Sequence, residues 1–363
     1  MPSLNDRIQR YLRPEIQKLQ AYSVQPSTGM VKLDVMENPY RLPTELQQAL
    51  GQRLGLVALN RYPAERTHDL RQALAHQAHL PAHCDLILGN GSDELISLLT
   101  LAHAKPDAVI MAPLPGFVMY EMSARLQGVR FVGVPTKADF ELDRAAMLEA
   151  IAQHQPALIW LAYPNNPTGN LWSDSDIDAI IEAAPGWVVM DEAYQPFATS
   201  DSLPRLTRYE HLLIMRTLSK FGLAGVRIGY AMGPKPLIQE LEKLRPPFNV
   251  SSLNTEAALF ALEHSAQYAW QATQICQERE RISAAVAALA GVKVFPSQAN
   301  MILVRVGAPG AARIYEIMKA RGVLIKNVSG SHPLLSDCLR ITIGTSDENN
   351  QMLLAFSAAL NDN

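Results

Sequence analysis

The chain has 363 residues, 48% of them hydrophobic, with 32 basic side chains against 35 acidic ones and a net charge of −3. Nearly balanced charge, with no basic stripe and no polybasic run, points away from nucleic acid and from membrane surfaces. The three cysteines, Cys84, Cys276 and Cys338, are odd in number and widely spaced, which argues against a disulfide framework or a zinc site and for a reducing compartment.

Residues 1–13 mix charges with Ile8 and Leu12 and hold no apolar stretch of the secretory kind. Apolar runs such as 157–162 are too short to span a bilayer, so a cytoplasmic location is expected. The segment 1–43 lacks a core of its own and is expected to pack on a small domain or on a partner subunit. Strands are expected at 85–89, 107–112, 129–134, 157–163, 186–190, 211–217 and 226–232, several of them near-continuous apolar runs covered on both faces. Helical patterns fall between most of them, at 93–103, 117–126, 142–154 and 174–184. This alternation predicts an α/β domain over 44–247 with a mainly parallel seven-stranded sheet flanked by helices. Pro246–Pro247 reads as a hinge, because proline cannot continue a helix. Beyond it, a helical stretch at 252–289 leads to strands at 292–295 and 301–306, a helix at 310–321, strands at 323–325 and 339–343, and a last helix from 347. That pattern predicts a smaller α+β domain over 248–363.

The chemistry gathers at the ends of the predicted strands. In Thr217-Leu218-Ser219-Lys220-Phe221-Gly222-Leu223-Ala224-Gly225-Val226-Arg227, small residues let the backbone approach a bulky ligand. Lys220 can form an imine with an aldehyde, and Ser219 and Arg227 can hold a phosphate. A glycine-rich loop with a solvated lysine explains the same stretch equally well. Asp191, in Val189-Met190-Asp191-Glu192-Ala193-Tyr194, ends a buried strand where α/β sheets place ligand contacts, or else caps the following turn. Tyr163-Pro164-Asn165-Asn166-Pro167-Thr168-Gly169 is a rigid turn that can present Asn166, and it is also an ordinary turn. Gly89-Asn90-Gly91-Ser92-Asp93-Glu94 opens a helix whose N-terminal N–H groups can cradle a phosphate, although Ser92 or Asp93 can equally be a simple cap. Leu95 stands where a dinucleotide fingerprint needs its third glycine. Phe117 can stack on a flat ring or sit in the core.

Taken together and in this order, these segments resemble the fold-type I pyridoxal-phosphate aminotransferases, and in particular the histidinol-phosphate aminotransferase subfamily. The resemblance runs from Lys32-Leu33 to the C-terminal helix. It implies pyridoxal 5'-phosphate as cofactor, Lys220 as its Schiff-base lysine, and Asp191 as the partner of the pyridine nitrogen, which keeps the ring protonated. It also implies that Asn166 and Tyr194 contact the phenolic oxygen, that Phe117 stacks on the ring, and that Ser92, Asp93, Ser219 and Arg227 surround the phosphate. Met36-Glu37-Asn38-Pro39-Tyr40 is similar to the family's Asn-Glu-Asn-Pro-Tyr stretch, with Met36 in place of the first Asn, and adds Asn38 as a substrate contact. Asn60-Arg61-Tyr62-Pro63 resembles the segment whose tyrosine reaches the neighbouring subunit's site, so a homodimer is implied. Asp337-Cys338-Leu339-Arg340-Ile341-Thr342-Ile343-Gly344 resembles the segment whose arginine binds the substrate anion.

Two departures stand out. Arg227 follows Lys220 by seven residues where many relatives have eight. Lys326 stands where some relatives carry an arginine for the substrate phosphate, giving charge but no bidentate fork. Tyr22 is a further phosphate contact by weaker resemblance. The expected reaction is transamination of histidinol phosphate with 2-oxoglutarate, since two cations, Arg340 and Lys326, suit a phosphate better than a lone carboxylate. An aromatic amino acid aminotransferase or a threonine-phosphate decarboxylase would share the same cofactor contacts, and a non-catalytic ligand-sensing module is the rival from a different class.

Overall fold

The computed structural model describes residues 2–18, 25–63 and 65–362. In chain order it begins with α1 (Leu4–Tyr11), α2 (Pro14–Gln17), β1 (Val31–Lys32), α3 (Thr44–Gly55), α4 (Glu65–Gln77), β2 (Cys84–Gly89), α5 (Ser92–Ala102), β3 (Val109–Leu114), α6 (Met119–Gln127) and β4 (Arg130–Pro135). It continues with α7 (Arg144–His154), β5 (Leu158–Ala162), α8 (Asp174–Ala183), β6 (Trp187–Asp191), β7 (Leu212–Thr217), β8 (Gly229–Pro234), α9 (Lys235–Glu242), α10 (Ser252–Glu263) and α11 (Ser265–Ala287). It closes with β9 (Val292–Val294), β10 (Met301–Val306), α12 (Ala311–Ala320), β11 (Val323–Leu324), β12 (Lys326–Asn327), β13 (Cys338–Thr342) and α13 (Ser346–Asn361).

The large sheet has seven strands in the order β2-β8-β7-β6-β5-β3-β4. Five strands, from β7 to β4, run parallel, and β8 is antiparallel to both of its neighbours. This is the mainly parallel α/β sheet that the alternating pattern predicts. The interior strand β5, Leu-Ile-Trp-Leu-Ala, is buried along its whole length because helices cover both faces of the sheet. Local chemistry sets the helix ends. Asp143 caps α7 through the N–H of Ala146 at 3.1 Å, α6 stops at Gly128 in the left-handed region, and Thr345 with Glu348 forms a capping box on α13.

The small unit is a four-stranded antiparallel sheet, β12-β13-β10-β9, covered by α11 and α12, with α13 packed on both helices. Its core gathers Ile302, Val304, Ile314, Ile341 and Phe356. The N-terminal segment joins it: β1 pairs parallel with β11, and Leu33 and Met36 enter the same core. Helix α1 buries none of its residues.

The expected helix at 252–289 is two helices. His264 leaves helical geometry, and its N–H and ring close the end of α10 on Phe260 and Ala261 carbonyls. Ala258, Leu259 and Ala261 of α10 lie in the large core, whereas Ile275, Ile282 and Val286 of α11 lie in the small one. The chain therefore passes between units inside α11, beyond the proline pair at 246–247. Which core a helix joins depends on where its apolar face packs, and α10 lays that face against α4.

Candidate active site

The site forms where β5, β6 and β7 end, facing the small unit. Asp191 is the last residue of β6, Asn166 follows β5, and Lys220 follows β7. Ser92 and Asp93 open α5, and Arg227 leads into β8. These six residues line one cavity together with Phe117, Tyr194 and Ser219. The structure therefore brings nine of the expected site residues together.

Lys220 sits in a turn of π-helical geometry whose Gly222 has φ of 137°. A side chain at Gly222 would meet the Tyr268 ring at 2.8 Å, so the turn requires glycine. The lysine amine is partly buried and donates to the Val35 carbonyl at 3.1 Å. Burial above all, with the Arg340 cation behind it, lowers its pKa to about 8.

Asp191 is 4% exposed. Its Oδ2 accepts from the Tyr120 hydroxyl at 2.6 Å and its Oδ1 from the Ala193 N–H at 3.1 Å. Burial pushes its carboxyl up to about 6, against the pull of these two donors. Asn166 donates from Nδ2 to the Tyr194 hydroxyl at 3.0 Å and accepts at Oδ1 from Arg340 Nη1 at 2.8 Å. Arg340 Nη2 donates to the Asp34 carbonyl at 2.8 Å. A continuous polar chain thus ties the large sheet to the small one. Burial also raises the Tyr194 phenol above its ordinary pKa.

At the other end of the cavity, Arg227 donates to Asp93 Oδ2 at 3.1 Å and lies within 3.5 Å of the Ser219 hydroxyl. Gly91 has φ of 83°, and a Cβ there would lie 2.5 Å from Arg227 Nη2. A Cβ at Gly229 would lie 2.6 Å from the Ser92 backbone nitrogen. The two glycines keep this corner open, with a guanidinium, two hydroxyls and an uncapped helix start converging on it. That is the donor set of a phosphate. A phosphate corner, a reactive lysine and a buried carboxylate in one cavity fit pyridoxal 5'-phosphate.

Behind the site, Arg216 donates through Nε and Nη2 to Glu192 Oε2 at 2.9 and 2.8 Å, and its Nη2 lies 3.0 Å from Asp201 Oδ2. The Glu192 side chain is wholly buried. This pair braces the ends of β6 and β7, from which Asp191 and Lys220 project.

The other expected residues lie elsewhere. Lys326 is exposed and sits opposite Arg340 in the β12–β13 ladder, so the two side chains leave the same face of the small sheet. Asn38 does not line the cavity: its Nδ2 donates to the Phe221 carbonyl at 3.2 Å and to Gln271 Oε1 at 2.9 Å, bracing the lysine turn. Tyr62 is 78% exposed and stacks on Phe248 at 4.6 Å, outside this chain's own cavity. Tyr22 lies outside the described residues. Sequence reading missed Tyr120, which lines the cavity three residues after Phe117 and carries no mark in the sequence that sets it apart from a core aromatic. It also missed Met36, Ala162 and Thr217 in the lining.

The family model for aminotransferases of class I and II matches residues 28–356. The chain belongs to this family. A histidinol-phosphate aminotransferase of Methylibium petroleiphilum is 59% identical, covering 99% of this chain and 97% of its own. One from Polaromonas naphthalenivorans is 57% identical, covering 99% and 98%. Among solved structures, histidinol-phosphate aminotransferase from Sinorhizobium meliloti in complex with pyridoxal-5'-phosphate has a TM-score of 0.85 at 27% identity, covering 97% of this chain and 98% of that one. L-threonine-O-3-phosphate decarboxylase from Porphyromonas gingivalis, at 23% identity and a TM-score of 0.79 over 92% of this chain and all of that one, shares the fold. No helix among the described residues is long and apolar enough to cross a membrane.

Proposed function

We propose that this chain is a pyridoxal-phosphate enzyme that transaminates histidinol phosphate with 2-oxoglutarate, giving imidazole-acetol phosphate and glutamate. The observation that carries the reading is the polar chain Tyr194–Asn166–Arg340, which sets a guanidinium at the edge of a cavity built around Lys220 and Asp191. The names borne by relatives more than half identical over nearly the whole chain support the same substrate.

Lys220 is the attachment point for the cofactor's aldehyde. Arg227, the Ser92 and Ser219 hydroxyls and the backbone N–H groups of Ser92 and Asp93 would hold its phosphate, Asp191 its ring nitrogen, Asn166 and Tyr194 its phenolic oxygen, and Phe117 one side of its ring. When bound, the cofactor supplies an electron sink for the carbanion left by proton loss. With its amine free, Lys220 would take the substrate α-proton, and its lowered pKa leaves more of the amine neutral for that task. Asp191 stays ionised above about pH 6 and so can hold a protonated nitrogen. Arg340 offers a fork to the substrate phosphate or to the glutamate carboxylate, and Lys326 beside it adds charge suited to the dianion.

The active form is a two-fold homodimer in the cytoplasm. Tyr62, Phe248, Leu56 and Leu59 are exposed apolar side chains that a second copy would cover, and Tyr62 would then reach the neighbouring site. Steady-state assays with histidinol phosphate, phenylalanine and threonine phosphate test the substrate. Histidinol phosphate should give the highest kcat/KM, and its being the poorest of the three would sink the reading. A visible band lost on borohydride treatment, and absent in Lys220→Ala, tests the cofactor.

A further inference from the structure

Tyr120 lies on the first turn of α6 and is 2% exposed. Its ring stacks on Trp160 with centroids 4.7 Å apart and planes 5° from parallel. Phe117 meets the same ring edge-on at 5.6 Å and 84°. The three rings form a pile from the cavity wall to the middle of β5, leaving the phenol little freedom to turn. Its hydroxyl donates to Asp191 Oδ2 at 2.6 Å, the short distance of a charge-assisted bond. A phenylalanine would fill the same apolar space, so packing alone does not call for this oxygen.

We propose that Tyr120 is a positioning residue for the reaction: its hydroxyl, fixed by the Trp160 stack, keeps the Asp191 carboxylate ionised and aimed at the cofactor's ring nitrogen. This rests on the cofactor reading given above. The surroundings of Asp191 show why a donor is required. Its strand neighbours, Ala162 on β5 and Met215 on β7, offer no charge. Asp93 on α5, and Glu192 and Tyr194 just beyond Asp191, are acidic or phenolic, so none stabilises an anion by charge. Burial and the two neighbouring carboxylates push Asp191 toward its neutral form, and the Tyr120 hydroxyl and the Ala193 N–H oppose them. A neutral carboxyl could not hold a protonated pyridine, and the electron sink would weaken.

The test measures cofactor affinity of the apoenzyme against pH, by fluorescence quenching, with thermal unfolding as a control. It compares wild type, Y120F, D191N, the double variant, and protein carrying a ring-fluorinated tyrosine at position 120. Y120F should bind pyridoxal phosphate about 10-fold more weakly at neutral pH, with the acid limb moved up by about one pH unit. The substrate KM should change far less than kcat. In the D191N background the same change should have no further effect. The fluorinated phenol is a better donor and should move the limb the other way; if Y120F does not fold, this protein decides alone. An unmoved limb, or an equal loss with and without Asp191, overturns the proposal. If the wild type shows no borohydride-sensitive band, the cofactor reading fails and this inference falls with it. If the band is present while Y120F behaves as wild type, only the role of Tyr120 falls.

Discussion

The amine of Lys220 gives the sharpest quantitative expectation. Its pKa is lowered from 10.5 to about 8, first by burial and then by the Arg340 cation, with Arg227 adding to the repulsion and Glu37 and Asp93 opposing it. At pH 7 a value near 8 leaves about one amine in ten neutral, against roughly one in three thousand for an ordinary lysine. Replacing Arg340 by methionine removes the largest like charge while leaving the burial in place. A unit charge at the edge of such a cavity contributes on the order of 1 kcal/mol, so the midpoint should rise by about one pH unit and stay below that of free lysine. The assay is the rate at which an amine-selective reagent modifies Lys220 in the apoenzyme as a function of pH, with the site identified by peptide mapping. The wild type should show a midpoint near 8, and R340M should react several-fold more slowly at neutral pH. A wild-type midpoint near 10, or a downward move in R340M, would refute the electrostatic account.

Three further outcomes are expected. Arg216→Met leaves the wholly buried Glu192 carboxylate without its cation and should cost roughly 3–5 kcal/mol in chemical denaturation, most of it recovered when Glu192 is also made apolar. Gly91→Ala should weaken cofactor affinity at least about 10-fold, because the new methyl would sit 2.5 Å from Arg227 Nη2 on a backbone of φ 83°; unchanged affinity would remove Gly91 from the phosphate corner. Mixing Tyr62→Ala subunits with Lys220→Ala subunits should restore activity that neither homodimer has, since one site of the hybrid would be intact. No recovery in a mixture shown to have exchanged subunits would place Tyr62 outside catalysis.

The large sheet was legible because its strands are buried on both faces. Leu158–Ala162 and residues 212–215 read as unbroken apolar runs, and no helical spacing competes with them. Helices α3 and α4 were missed because the signal they carry is thin, and α9 because it spans only 8 residues. Among the described residues α3 buries none, and α4 buries only Leu70 and Leu74 in a polar stretch. The break at His264 had no glycine or proline to announce it; where α10 and α11 pack decides it. In the site, the polar residues at strand ends stood out because α/β sheets gather ligand contacts there. Tyr120 did not, since from sequence a buried tyrosine looks like any core aromatic, and its meaning lies in a carboxylate distant along the chain. Asn38 shows the converse. Its side-chain amide suits a substrate, yet it is spent on the Phe221 carbonyl and Gln271.

The pairing of β1 with β11 sets an order of events at the ribosome. Every strand of the large sheet has been made by the time Pro234 emerges, so that layer can assemble while synthesis continues. The smaller layer cannot, because Leu33 and Met36 must wait for Val323, Ile341 and Phe356 to close their core. A nascent chain stalled before those residues would present an apolar N-terminal ribbon with nothing to cover it. Chaperone capture should therefore peak late in translation and vanish on release.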